Sequence, residues 1–220
     1  MSNVVSPARI AASLAEQTRA SMIMKQRHIY FITHPNVVIS RDVPVPRWPL
    51  SAIGLQRMRT ALHQPWINDI TALYCSTEQK AIDGARVLAD YLSLTPVEIE
   101  ALGENDRSAT GFLPPVEFEA VADEFFARPT VSVRGWERAD DAQTRIVQAV
   151  AAIASTDDST GAIAIVSHGA VGTLLYCHLT HQSISRERDQ PANGGGNYFR
   201  FSLDCAQVDS WWKAIDEIVI

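Results

Sequence analysis

Ala162-Ile163-Ala164-Ile165-Val166-Ser167-His168-Gly169 is a short apolar run closed by a histidine and a glycine, and Ile29-Tyr30-Phe31-Ile32-Thr33-His34 repeats the arrangement near the other end of the chain. Each run reads as a strand with an imidazole at its carboxyl end. In an open α/β sheet the crevice beyond the carboxyl ends of parallel strands is where ligands bind, so two such runs bring both histidines to one pocket.

Working outward from these runs, the chain alternates strands with helices. Val43-Pro44-Val45-Pro46-Arg47-Trp48-Pro49-Leu50 is rich in proline and reads as an extended loop. Ser51 is placed to cap a helix over 52–62, where apolar residues recur at helical spacing. A second strand, Ile70–Cys75, leads to a helix from Gln79 to about Leu92, with Ser76 or Thr77 as its cap, and Val97-Glu98-Ile99-Glu100 reads as a third strand. A polar segment from Gly103 to Thr110 and the pair Pro114-Pro115 begin a long excursion, a common place for functional loops. The segment from Glu104 to Trp136 reads as much of a lid over the pocket, and its aromatic residues, Phe112, Phe118, Phe125, Phe126 and Trp136, fit either a ring-bearing substrate portion or the core equally well. An alanine-rich helix over 140–155 precedes the 162–168 run, a helix from Gly169 to about Leu179 follows it, and 197–204 alternates as a last strand. Alternating strands and helices imply a largely parallel sheet covered on both faces.

The 220 residues, 46% hydrophobic and 20% charged, fit one globular domain. Residues 1–24 read as an amino-terminal extension or peripheral helix, and 25–220 as the domain. A formal net charge of −6 argues against a general nucleic-acid binder, whose affinity comes from basic groups that neutralise phosphates. No run is long enough for a membrane-spanning helix, and the amino terminus lacks the order of a secretory signal, so the expected location is the cytoplasm. Cys75, Cys177 and Cys205 are odd in number and widely spaced, which reads as reduced and structural. His178 and His181 are spaced three apart, but nothing nearby completes a metal site. Gly194-Gly195-Gly196 matches no phosphate-loop pattern and reads as a flexible turn.

In their order, these segments resemble the histidine phosphatase superfamily, the group that includes the cofactor-dependent phosphoglycerate mutases. Trp48-Pro49-Leu50-Ser51-Ala52-Ile53-Gly54 resembles its Pro-Leu-Thr-x-x-Gly signature, Cys75-Ser76-Thr77-Glu78-Gln79-Lys80-Ala81 its Ser-Ser-Pro-x-x-Arg-Ala stretch, and Ser167-His168-Gly169 its second histidine motif. Leu102-Gly103-Glu104 resembles the segment that supplies the family's acid. The chain departs from the pattern at Thr33-His34-Pro35, where relatives carry Arg-His-Gly, at Lys80 in place of an arginine, and at Ser40 in place of an asparagine. The resemblance implies a three-layer α/β/α sandwich with a mostly parallel central sheet, no cofactor and no metal. The implied partner is a phosphorylated small molecule rather than nucleic acid or membrane, and oligomeric state is left open, a homodimer among the options.

The chemistry is coherent on residue type alone. A neutral imidazole at a strand end can attack a phosphoryl group and split one hard displacement into two easier ones, which makes His34 the nucleophile. The leaving alkoxide needs a proton, and Glu104 is the candidate acid, then the base that activates water, with Asp106 and Glu100 as fallbacks. Cationic His168, Lys80 and the helix start at Gly169 would hold the transferring phosphoryl, with Thr33 and Ser40 as further contacts. Loss of one such donor commonly costs about 3–4 kcal/mol of transition-state stabilisation. Arg41, nearest of the loop arginines to His34, is the first candidate to replace the missing clamp, ahead of Arg47 and Arg107. The expected activity is hydrolysis of a phosphate monoester through a phosphohistidine. The rivals are mutase-type phosphoryl transfer by the same residues and a weakly active or inactive phospholigand-binding relative.

Overall fold

The computed structural model describes residues 27–218, so the 1–24 segment read as an extension lies outside the described residues. Six strands, β1 (His28–Thr33), β2 (Ile70–Cys75), β3 (Val97–Glu98), β4 (Ala162–Ser167), β5 (Asn197–Ser202) and β6 (Lys213–Ala214), form one sheet in the order β3-β2-β4-β1-β5-β6. The pairs β2–β3, β2–β4 and β1–β4 are parallel, whereas β5 runs antiparallel to β1 and to β6. The sheet is mostly parallel, as expected, with an antiparallel edge.

Among the described residues five α-helices cover it: α1 (Ala52–Ala61), α2 (Gln79–Leu92), α3 (Pro115–Ala127), α4 (Ala139–Thr156) and α5 (Gly169–Leu179). Because successive strand side chains point to opposite faces, β1 divides its residues between two cores. Ile29 and Phe31, with Ile163, Ile165, Phe199 and Phe201, pack against α3, α4 and α5. Tyr30 and Ile32, with Leu73, Ala164 and Val166, pack against α1 and α2. The result is the three-layer α/β/α sandwich. Complete burial of β4, every residue of it, follows from its position between two parallel neighbours with helices on both sides.

The local signals act largely as read. Ser51 Oγ accepts from Gly54 N at 3.1 Å and caps α1. The cap of α2 is a correction: Glu78, not Ser76 or Thr77, occupies the N-cap, and the Ser76 hydroxyl instead accepts the Glu78 N–H at 3.1 Å. The third strand is shorter than its alternation suggests. Ile99 N still donates to Cys75 O at 2.8 Å, but the chain then tightens into a 3₁₀ turn over Glu100–Leu102. The last strand likewise stops at Ser202, where a turn carries Cys205 at φ 57°.

The excursion holds a helix that its prolines conceal. Pro115 opens α3, since proline at a first helical position gives up an N–H that has no partner there anyway. Of the two alternatives for the aromatic residues here, Phe125 and Phe126 on the inner side of this helix and Trp136 beyond it take the core one, at 1%, 4% and 2% exposure. Of the aromatic residues in the excursion, Phe112 lines the main cleft. In the tail, Trp212 is buried beside Phe199 and Tyr176, and Trp211 stays partly exposed. Cys75, Cys177 and Cys205 are free thiols. Among the described residues no helix is long and apolar enough to cross a membrane.

Candidate active site

Thr33 of β1 lies opposite Ser167 of β4, and the next residue, His34, donates its backbone N–H to Ser167 O at 3.0 Å. His34 and His168 therefore leave adjacent parallel strands at the same level. Their ring centroids are 5.1 Å apart and the planes meet at 70°. The two imidazoles that the sequence reading assigns to one pocket lie side by side.

The state of His34 follows from its neighbours. Its Nδ1 lies 2.9 Å from Pro35 O. A carbonyl only accepts, so Nδ1 carries the proton and Nε2 keeps a free lone pair. Burial first, and the Lys80 charge second, lower its pKa from 6.5 to about 4, so the ring is neutral at ordinary pH. His168 is wholly buried, with Nε2 2.8 Å from Ser76 Oγ and 3.4 Å from Glu78 Oε1, while Nδ1 has no partner. Burial pushes its pKa well below 6.5 against the opposing pull of Glu78. The expected imidazolium is thus corrected to a neutral ring, because a fully enclosed site penalises the charged form.

Lys80, the other cation of the sequence reading, holds the positive charge beside His168. This residue of α2 is 3% exposed; its ammonium pairs with the Glu78 carboxylate and donates to Val45 O at 2.9 Å. Burial lowers the Lys80 pKa, and Glu78 works against that. Glu78 in turn accepts the Glu104 N–H at 2.9 Å. Burial alone would raise the Glu78 carboxyl; the charge of a protonated His168, then the charge and hydrogen bond of Lys80, outweigh it and bring the pKa down to about 2. With His168 neutral, the Lys80 ammonium is the counter-charge. Sequence reasoning missed Glu78. Its signal was present, an acid at the non-helical residue that opens α2, two positions before the lysine.

Glu104 lies against the start of α5. Its Oε1 accepts from Val171 N and Asn105 N, each at 3.1 Å, and its Oε2 accepts from Ala170 N at 3.2 Å. A carboxylate here satisfies helix amides that His168, as N-cap, leaves without a side-chain partner. Glu104 also walls a cleft of 1110 Å³, together with Glu78, Asn105, Arg107, Arg41 and Phe112. His34 and His168 are not among the residues lining that cleft. Of the fallback acids, Asp106 is exposed and accepts from Ser108 N at 2.8 Å, which lowers its pKa, and Glu100 is exposed at the cleft edge.

The remaining predicted contacts divide. Arg41 stands in the cleft wall with its guanidinium 5.4 Å from the Phe112 ring centre. Arg107 lies 5.2 Å and 5.6 Å from the ring centres of Phe118 and Trp136, and its charge helps lower the pKa of both histidines. Ser40 contributes its carbonyl to the Trp48 indole at 2.9 Å. The Thr33 hydroxyl accepts from Asn197 N at 3.0 Å and donates to Gln190 Oε1 at 2.7 Å. Gly169 is the first residue of α5, and a Cβ on it would stand 2.3 Å from Gln190 Nε2.

The three-glycine turn also belongs to this region. Gly194, Gly195 and Gly196 have φ of 83°, 77° and 67°, values that favour glycine. Gly196 N donates to His34 O at 3.1 Å, and a Cβ on Gly195 would lie 2.3 Å from that same oxygen. The turn packs directly on the backbone of the first histidine.

Two solved structures illustrate the likeness of the fold. A mycobacterial glucosyl-3-phosphoglycerate phosphatase in complex with inorganic phosphate superposes with a TM-score of 0.71 at 17% identity, over 87% of this chain and 99% of that one. Bacillus stearothermophilus YhfR gives a TM-score of 0.68 at 21% identity, over 83% and 94% respectively. No curated protein matches by sequence. The family model for the histidine phosphatase superfamily (branch 1) matches residues 31–213. With the two histidines at the ends of neighbouring parallel strands and this match over most of its length, the chain belongs to the histidine phosphatase superfamily.

Proposed function

We propose that the protein hydrolyses a phosphate monoester through a phosphohistidine on His34. One observation carries the reading: Pro35 O fixes the proton of His34 on Nδ1, and burial keeps the ring neutral, so Nε2 offers a lone pair from a rigid strand end. Nε2 attacks phosphorus and the ester P–O bond breaks. Glu104 acts as the general acid that passes a proton to the departing alkoxide. In the second step Glu104 takes a proton from water, whose oxygen attacks phosphorus; the P–N bond breaks and inorganic phosphate leaves.

Three features support these roles. Glu104 stands both in the cleft wall and at the helix start that follows His168. Among the acids of that wall, Glu78 and Glu137 are occupied by Lys80 and Arg145, whereas the contacts of the Glu104 carboxylate are backbone amides. The phosphoryl oxygens carry the negative charge, for which Lys80 and Arg107 are the nearby cations. The likeness to a phosphatase fold that holds inorganic phosphate agrees with this class of substrate.

The test is phosphate release from a panel of monoesters, with trapping of acid-labile phosphoprotein. Turnover and labelling in the natural sequence, both lost in His34→Ala, are expected. Phosphate binding without turnover across the panel would replace this reading with that of a non-catalytic phospholigand binder.

A further inference from the structure

Residue 33 marks the largest departure of this chain from its relatives, because a hydroxyl stands where the resemblance implies a guanidinium. The hydroxyl does not face the site alone. It accepts the Asn197 N–H, and its one proton faces two acceptors, Gln190 Oε1 at 2.7 Å and the more distant Asn197 O at 3.2 Å. The Asn197 side-chain amide donates to the same Gln190 oxygen at 2.9 Å. Two donors on the carbonyl oxygen fix the plane and the direction of the Gln190 carboxamide. Among the described residues its Nε2 has no hydrogen-bond partner.

That nitrogen arrives at the first residue of α5. It would stand 2.3 Å from a Cβ at position 169, so glycine there is what lets the side chain in. Position 169 directly follows His168, whose ring is 5.1 Å from His34 and whose buried Nδ1 has no partner. An oriented donor and a bare ring nitrogen therefore flank the start of α5, at the strand ends that also hold the nucleophile.

We infer that Gln190 is a phosphoryl-binding residue, its carboxamide taking the place of the arginine that Thr33 replaces, with Thr33 and Asn197 as positioning residues that aim it. The inference rests on the proposed phosphatase reading and deepens it. Nε2 supplies N–H donors but no charge, so the clamp on this side of the phosphoryl group is neutral. A loop residue 157 positions from Thr33 thus completes a site whose β1 member is a short hydroxyl.

The experiment compares the natural sequence with Gln190→Glu and Thr33→Val. Binding of inorganic phosphate is followed by calorimetry, p-nitrophenyl phosphate hydrolysis by rate, and folding by thermal melting. Glutamate keeps an oxygen for Thr33 and Asn197 but puts a second oxygen where the donor was. The expected result is phosphate binding weakened about 100-fold or more in Gln190→Glu, the scale for losing one oriented donor to a phosphoryl oxyanion. Thr33→Val, which releases the aim but keeps the donor, is expected to weaken binding about 10-fold, and it decides the matter if Gln190→Glu does not fold. Phosphate affinity within threefold of the natural protein in a folded Gln190→Glu, or in Thr33→Val when only that variant folds, would overturn this inference while leaving the phosphatase reading intact. A natural sequence that neither binds phosphate nor turns over the ester would overturn both.

Discussion

Replacing Glu78 by glutamine removes one charge from the base of the site and almost no volume. Glu78 and Lys80 are 12% and 3% exposed, so the ammonium left behind has little access to water. The displacement of the Glu78 carboxyl from its ordinary 4.5 down to about 2, to which a protonated His168 contributes ahead of Lys80, corresponds to at most about 3 kcal/mol of preference for the folded, ionised form. Orphaning one member of a buried pair costs about 3–5 kcal/mol in other proteins, which is the same scale. Denaturant unfolding at neutral pH should therefore find Glu78→Gln less stable by about 3 kcal/mol. Because the carboxyl is depressed in the folded state, its contribution is complete above 4.5 and fades as the pH falls through 2. The gap between the two proteins should accordingly narrow by about 1 kcal/mol on going to about pH 3.5. Adding Lys80→Met removes the stranded cation, and the double variant should be more stable than Glu78→Gln alone. A gap below about 1 kcal/mol, or one that stays constant from neutral pH to about 3.5, would refute the buried-pair argument.

Three other outcomes are expected. Since His34 must be neutral to attack and its pKa is lowered to about 4, kcat/KM corrected for substrate ionisation should hold level down to about pH 5 and fall below about 4; an acid limb at 6.5 would contradict the burial argument. Gly195→Ala places a Cβ against His34 O at a positive φ, and should cost about 2–3 kcal/mol on unfolding and lower turnover, whereas an unchanged melting curve would mean that the turn yields freely. Glu104→Gln should lower kcat by about 100-fold, read by steady-state rates on a fast-leaving and a slow-leaving ester, with the larger loss on the slow-leaving one; equal losses on both would remove Glu104 as proton donor.

The parts of the fold legible in the sequence are those whose information is local. β4 is a continuous apolar run, α2 and α5 have helical spacing, and Ser51 sits one residue before a helical pattern, so each was readable where it stands. The helix α3 was hidden by its own start, because two prolines signal a loop unless one of them falls at the first helical position. Its buried Val121, Ala122, Phe125 and Phe126 do follow helical spacing, but aromatic residues beside a suspected pocket fit a substrate contact as well as the core. β6 has two residues and exists because β5 offers it an edge, which no local pattern encodes. The site divides the same way. The two histidines announce themselves at strand ends, but the neutral state of His168 depends on complete enclosure by elements distant in sequence. Gln190 and Thr33 meet across 157 positions, and a polar residue in a loop carries no mark of such a contact.

His34 N bonds to Ser167 O, and the residues before each histidine are ladder partners in adjacent strands. The separation of the two rings is thus set by the repeat of the sheet itself, about 4.8 Å between neighbouring strands, and not by any loop. A distance inherited from the backbone lattice is insensitive to what the surrounding loops do. Insertions or exchanges in the 38–50 or 103–114 segments would alter which molecules are admitted while the spacing of the histidines stays as it is. It also ties durability to the middle of the sheet: the pair loses its spacing only when β1 and β4 separate, so on heating, the catalytic geometry should survive until the whole domain melts.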